Sequence, residues 1–322
     1  MQDILTMTIL LIAIYAIAVG TISSMVGIGG GIFNTPLLII LFLFDAQQAS
    51  ATALVAALFV ALSSSVPYWR QKPRPVIAKA GLFLAIMTIP GSWVGVWLRE
   101  VIAEDMALRY LFGVFLFPVA IKMLFAKKKK GLETGADEIK EYDFSKLSKQ
   151  RLSISLFGAF IGGVAAGLLG IGGGAIVVPV LTIMMGLPIH AAVATSMFTM
   201  MFTASAGTAR NAIGNYIDPV YAIILGVGMV IGAQIGPRLA CKVNSVQLKR
   251  IFGLILIFPL VKMMELGHYF FDPLGDPNSL ISLVGTILIW LIIVLPIGLL
   301  RYYHLQRGPP EVIEPCDVPA TE

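Results

Sequence analysis

The sequence is poor in most of what soluble chemistry draws on. Only 13% of its 322 residues are charged, and it holds two cysteines and three histidines. Soluble domains carry about one quarter charged residues, so a chain this apolar cannot cover its surface for water. Cys241 and Cys316 lie on separate segments and make no disulfide framework. His190, His268 and His304 have no metal-ligand spacing, and no nucleophile–base motif is visible. The expectation is therefore a protein that is not an enzyme and carries no metal or other cofactor. Basic residues are missing from the N-terminal run, where the first Lys or Arg is Arg70. A signal peptide would need a basic n-region, so the long apolar run from Ile4 reads as a retained transmembrane helix. The net charge of +5 does not imply nucleic acid as a partner. Its Lys and Arg cluster in loops beside apolar segments, as membrane topology requires.

Long apolar runs are what the chain has instead. Of its residues, 57% are hydrophobic, and several runs reach the ~18 residues usual for a transmembrane helix. The fold class expected is an all-α polytopic integral membrane protein. Apolar segments fall at roughly 4–25, 32–44, 49–69, 76–98 and 106–125. A charged stretch, 127–151, follows. A second set comes at roughly 152–169, 175–187, 190–212, 219–240 and 247–265, and a final segment at 279–300. The expected organisation is a first membrane repeat over 1–126, a charged cytoplasmic linker over 127–151 and a second repeat over 152–265. Residues 266–322 hold one extra transmembrane helix and the tail.

The repeat is carried by a doubled motif. "GIGGGIFNTPLL" occupies 27–38 and "GIGGGAIVVPVL" occupies 170–181, with Gly27 to Gly170 and Pro36 to Pro179 both 143 residues apart. "ASAT" at 49–52 matches "AVAT" at 192–195, and "GSWVGVWL" at 91–98 matches "GAQIGPRL" at 232–239. "FGVFLFPVAIKM" at 112–123 matches "FGLILIFPLVKM" at 252–263. Basic charge swaps between copies. Loop 70–79 is rich in Lys and Arg where its counterpart 210–218 has only Arg210. Loop 99–105 has one basic residue against three acidic ones, whereas 238–250 holds Arg238, Lys242, Lys249 and Arg250. Under the positive-inside rule, matching loops then lie on opposite sides. Five segments per copy is odd, which inverts the second copy independently. The second segment of each repeat, at roughly 13 residues and ~1.5 Å per residue, is too short for a ~30 Å hydrocarbon core and reads as a half-helix or re-entrant piece.

A helix broken in lipid survives only against protein or water. Breaks at equivalent points of two inverted repeats point to a cavity near the repeat interface. Glycines there let the backbone turn, and the helix that follows each turn offers free N–H groups and a dipole that favour an anion. The candidate substrate-binding residues are Gly27, Gly29, Gly30, Gly31, Asn34, Thr35, Thr52, Gly170, Gly172, Gly173, Gly174, Thr195, Ser196 and Arg210. The bland alternative for the glycines is close helix packing. For the hydroxyls, including Ser63, Ser64, Ser65, Thr203, Ser205 and Thr208, it is bonding to their own helix backbone. For Arg210, Lys122 and Lys262 it is snorkelling to the interface, with Glu265 in reach of Lys262. "GIGGGA" at 170–175 also satisfies a dinucleotide fingerprint, but it lies between membrane segments rather than in a strand–helix–strand unit.

These motifs, with the "AVATS" stretch at 192–196, resemble the sulfite exporter (TauE/SafE) family of membrane proteins over most of residues 8–265. The resemblance implies movement of sulfur-containing anions such as sulfite, sulfonates or sulfoacetate-like compounds across the bacterial inner membrane. The family is often described with about eight spans, fewer than the eleven segments counted here. The function expected is a secondary transporter working by alternating access. A passive anion channel and a carrier of another small organic anion are the alternatives. The partners expected are a small anion, the lipid bilayer and a coupling ion, H+ or Na+, whose identity the residues leave open. Oligomeric state and direction of transport are likewise left open.

Overall fold

A computed structural model describes residues 2–102, 105–124, 147–240, 254, 257, 260–262, 264–271 and 280–305. All regular elements among them are helical: α1 (Gln2–Val26), α2 (Gly31–Leu41), α3 (Ala46–Arg70), α4 (Ala78–Val101), α5 (Asp105–Leu124), α6 (Lys149–Leu169), α7 (Gly174–Pro179) running into a π-helical turn (Val180–Met184), α8 (Ile189–Ile213), α9 (Pro219–Ala240), α10 (Leu266–Phe271) and α11 (Leu280–Leu305). Five of these, α3, α4, α6, α8 and α9, are long and apolar enough to cross a membrane. The chain is a multi-pass all-α membrane protein. Most of the linker 127–151, most of segment 247–265, the loop basic residues beyond 240, the side chain of Lys122 and both cysteines lie outside the described residues.

Local chemistry sets the helix ends. Asp45 caps α3 by accepting from the Gln48 N–H at 2.6 Å, and Ser148 caps α6 by accepting from Arg151 N–H at 3.3 Å, the usual roles of short oxygen side chains at an N-cap. The α1 end is closed by Gly27 at φ 85°, with the N–H groups of Gly27 and Ile28 both donating to Ser23 O. Gly170 at φ 72° does the same job for α6, donating to Ala166 O. Left-handed φ at these points is cheap only for glycine. The α2 helix has 11 residues, about 16 Å at ~1.5 Å per residue, so it is a half-helix as the sequence pattern predicts.

Side-chain registers fix the helix directions. Along α1 and α9, Gly228 lies against Ala16, Gly232 against Ile17 and Gly236 against Thr21, so the two run parallel. Along α4 and α6, Gly163 lies against Thr88 and Gly167 against Ser92, again parallel. Phe59 lies on Gly226 and Gln71 donates to Pro237 O at 3.1 Å, which makes α3 parallel to α9. Thr199 donates to Gly81 O at 3.2 Å and Ser92 faces Gly207, which makes α8 parallel to α4. By contrast, α3 and α8 cross antiparallel: Leu54 lies on Gly207, while near the far end of α3 Tyr68 meets His190 with ring centres 5.9 Å apart. Helices α1, α3 and α9 therefore run one way and α4, α6 and α8 the other. Small residues at these seams let the backbones approach closely, and packing of this kind holds helices together in lipid.

The outer faces are apolar. Leu82, Ile86, Ile89 and Trp93 are exposed along α4, as are Val220, Ile223, Val227 and Ile231 along α9. Spacings of three and four place each set on one helix face, the face turned to lipid. The interior is alanine-rich, but two of its largest fully buried side chains are Tyr68 and Arg99, both 0% exposed.

Candidate functional site: two glycine turns in mutual contact

The two glycine turns, far apart in sequence, meet in the middle of the bundle. A Cβ added at Gly31 would strike the carbonyl oxygen of Gly170, and one added at Gly174 would strike that of Gly27. The contacts are reciprocal: each turn's last glycine rests on the other turn's first. Gly29 and Gly172 both face Met200 and Ala57, which are themselves matching positions 143 residues apart. The space between the turns is filled by the Met200 thioether, where the first repeat supplies only a methyl group. A second methionine, Met229, covers Gly30 and accepts from the Asn34 amide at 3.0 Å.

The remaining candidates fall into distinct environments. Ser196 donates to Gly27 O at 2.9 Å and so ties α8 to the first turn. Thr35 on α2 donates to Leu169 O at 3.1 Å, beside the second turn. Thr52 accepts from Asp218 N–H at 3.0 Å, and Thr195 accepts from Ile77 N–H at 3.0 Å. These matching threonines hold the entry to the fourth helix of the opposite repeat, a scaffolding task that leaves their hydroxyl oxygens engaged. Arg210 pairs with Glu100 at 2.6 Å, with side chains 22% and 20% exposed. The wider hydroxyl row mostly bonds backbone: Ser63 to Val230 O, Ser65 to Ala61 O and Thr203 to Thr199 O, while Ser205 is exposed. Glu265 pairs with Arg109 at 3.3 Å, not with the buried Lys262. His190 shares a hydrogen bond with Gln71 at 3.1 Å.

The sequence pattern misses one pole of this site. Arg99 reads as part of a loop, yet it lies in the last turn of α4 and is fully buried. It donates to Ser50 Oγ at 2.8 Å, to Gly167 O at 3.4 Å and to Asn211 Oδ1, and its guanidinium carbon lies 5.6 Å from the centre of the Tyr216 ring. A small cavity opens beside Ser50, lined also by Thr35, Ile39, Leu108, Arg109, Leu168 and Leu169. No signal in a single sequence separates a buried arginine at a helix end from one that snorkels. Among the described residues, no cluster of His, Cys, Asp and Glu could hold a metal ion.

A bundle of apolar helices interrupted by two facing glycine turns, with polar groups gathered behind each, defines an integral membrane protein with a doubled glycine-turn motif at its core. Residues 12–263 match the model of the family described as "Sulfite exporter TauE/SafE", and the chain belongs to that family. Among its relatives, "Probable membrane transporter protein YunE" of Bacillus subtilis is 28% identical over 267 residues, covering 78% of this chain and 95% of the relative. "Probable membrane transporter protein YdhB" of the same organism is 29% identical, covering 77% and 100%. A probable membrane transporter protein of Methanocaldococcus jannaschii is 25% identical, covering 78% and 95%. No solved structure matches the chain.

Proposed function

We propose that this protein is a secondary transporter of small sulfur-containing anions, of the sulfite, sulfonate or sulfoacetate kind, in the bacterial inner membrane. The observation that carries the reading is the reciprocal seating of Gly31 on Gly170 and of Gly174 on Gly27. Two matching turns in mutual contact, on helices whose counterparts α3 and α8 run antiparallel, suit a pair of inverted repeats, residues 1–126 and 152–265. Such a pair alternates access by rocking about a shared centre. The membrane-transporter names of its relatives support the same reading.

The two ends of the centre carry different closures. At one end Tyr68, Gln71 and His190 interlock; at the other Arg99, Ser50 and Asn211 do. In an alternating mechanism one closure opens as the other tightens, and the glycine turns, which carry no side chain to collide, act as the bearing surface. The family's description as a sulfite exporter supports sulfur-containing anions as the cargo.

Flux measurements on proteoliposomes test the proposal. Radiolabelled sulfite and sulfoacetate should be carried, and an imposed H+ or Na+ gradient should drive accumulation above equilibrium. Equilibration that ignores both gradients identifies a passive anion channel. Carriage of carboxylates but not sulfur anions moves the substrate to another small organic anion. Absence of any anion flux overturns the proposal.

A further inference from the structure

We infer that the transported anion is held by Arg99 together with a seam of unpaired hydrogen-bond donors between α4 and α8. The identity of the anion as cargo rests on the proposed transport function; the place where it binds rests on the following geometry.

Among the described residues no carboxylate forms an ion pair with Arg99, although Glu100 and Asp45 lie near enough to act on its charge. Its partners Ser50, Asn211, Gly167 O and the Tyr216 ring are all neutral. Among the described residues the nearest carboxylate along the chain, Glu100, is taken by Arg210. A full charge removed from water is costly unless paired, and neutral dipoles offset only part of that cost. The interior at this point therefore favours an incoming negative charge.

The surrounding groups are short of acceptors. Arg99 Nε, Asn211 Nδ2, Ser92 Oγ and Thr208 Oγ1 are buried atoms with no hydrogen-bond partner in the protein. Because Asn211 Oδ1 accepts from Arg99, its amide nitrogen is left pointing elsewhere as a donor. Ser92 and Arg99 stand two turns apart on α4, and Thr208 and Asn211 three residues apart on α8. Both spacings share a helix face. The two helices run in parallel, with Ser92 set against Gly207, so the four groups lie along one seam. Buried polar atoms are nearly always paired. A ligand with several acceptor oxygens on one small centre is the chemical match, and the small cavity lined by Ser50 and Arg109 lies beside the Ser50 hydroxyl that Arg99 donates to.

The other end of the molecule serves as an internal control. With the repeat offset of 143, Gly167 corresponds to Ser24 and Asn211 to Tyr68; in the fourth helices Arg99 falls opposite Ala240. There the carbonyl of Ser24 receives its hydrogen bond from the Tyr68 hydroxyl at 2.7 Å. A neutral phenol thus closes one helix–turn junction where a guanidinium closes the other. Holding the junction needs no charge, so the charge of Arg99 has another use.

The test is isothermal titration of the purified full-length protein, at fixed ionic strength, with sodium sulfite, thiosulfate, sulfoacetate, phosphate and acetate. The double substitution Arg99→Ala with Asn211→Tyr gives this end the composition of the other, keeping a neutral donor for Gly167 O. It should remain monodisperse and bind the preferred anion roughly ten- to a hundred-fold more weakly, the range for losing a charged hydrogen bond. Arg99→Lys keeps the charge but not the planar fork and should fall between. Ser92→Ala and Thr208→Val each remove an unpaired buried group, so neither threatens the fold, and each should weaken binding severalfold. Wild-type affinity in the folded double variant, or in both single donor variants, overturns the inference and leaves the transport function standing. Binding of phosphate or acetate alone, with the same dependence on Arg99, keeps the site and changes the substrate class. A wild-type protein that binds none of the five anions overturns both.

Discussion

The hydroxyl of Tyr68 donates to the carbonyl oxygen of Ser24 at 2.7 Å, joining the end of α3 to the last turn of α1 just before the first glycine turn. Residues 143 positions further on, Asn211 and Gly167, do not bond to each other; both are gathered by Arg99 instead. The two helix–turn junctions share left-handed glycine backbone and differ in chemistry. One end is closed by an aromatic ring and neutral polar groups, the other by a buried cation.

The contact between the turns sets a strict size limit. Gly31→Ala and Gly174→Ala would each drive a methyl group into a backbone carbonyl, which cannot rotate aside. Each should cost ~1–3 kcal/mol or more by overpacking and lower both the yield of monodisperse protein and its apparent melting temperature. Gly186 is the contrast: its φ is positive, at 75°, unlike those of Gly31 and Gly174, and nothing lies within 4 Å of a Cβ there. Gly186→Ala should show only the backbone strain. Gly31→Ala and Gly174→Ala losing no more than Gly186→Ala would mean that the turn–turn contact does not set the limit.

Met200 fills the space facing Gly29 and Gly172, where Ala57 is its small counterpart. Met200→Ala should destabilise by ~2–5 kcal/mol, as large-to-small core changes do, and should open the centre. With Cys241 and Cys316 replaced by Ser, Ala57→Cys should be inert to a small thiol reagent when Met200 is present and reactive when it is Ala. Identical reactivity in the two backgrounds would mean that Met200 does not seal the centre.

The Arg210–Glu100 pair is partly exposed, and pairs of that kind contribute ~0–1 kcal/mol. Arg210→Gln should therefore change anion affinity by less than about fivefold and stability by no more than that amount. A loss of tenfold or more in titration would place Arg210 on the anion path.

Thr52 and Thr195 accept backbone N–H groups from Asp218 and Ile77. Replacing either with Val leaves a partly buried donor unpaired, which costs ~1–3 kcal/mol. Both variants should melt earlier and bind anions as tightly as the wild type. Weaker binding without a drop in melting temperature would make them substrate contacts.

Inverted repeats, as proposed, would put matching loops on opposite membrane faces. Lys72 and Asn215 are exposed in loops that follow the third helix of each repeat. In a background without native cysteines, Asn215→Cys should label with an impermeant thiol reagent in intact cells and Lys72→Cys should label only after lysis. Labelling of both, or of neither, would contradict inverted repeats.

The sequence alone was enough for the elements and for the turns. Apolar runs longer than a membrane is thick have no stable fate except as buried or lipid-facing helices, and α3, α4, α6, α8 and α9 fall where those runs are. Glycine runs such as 27–31 and 170–174 reject regular helix and accept left-handed backbone, and Gly27, Gly29, Gly30, Gly170, Gly172 and Gly173 all take positive φ. Both properties are local, so they can be read from neighbours in the chain. Partnership is not local. That Gly31 rests on Gly170, that Thr52 serves a loop 166 residues away and that Met200 fills the centre were decided only when helices from the two repeats packed together. Arg99 shows the limit most clearly. At the end of an apolar segment an arginine ordinarily reaches outward to water, and the residues around it in the chain say nothing against that. It is buried because α3, α6 and α8 close over it, and its hydrogen bonds go to neutral groups while Glu100 beside it pairs with Arg210.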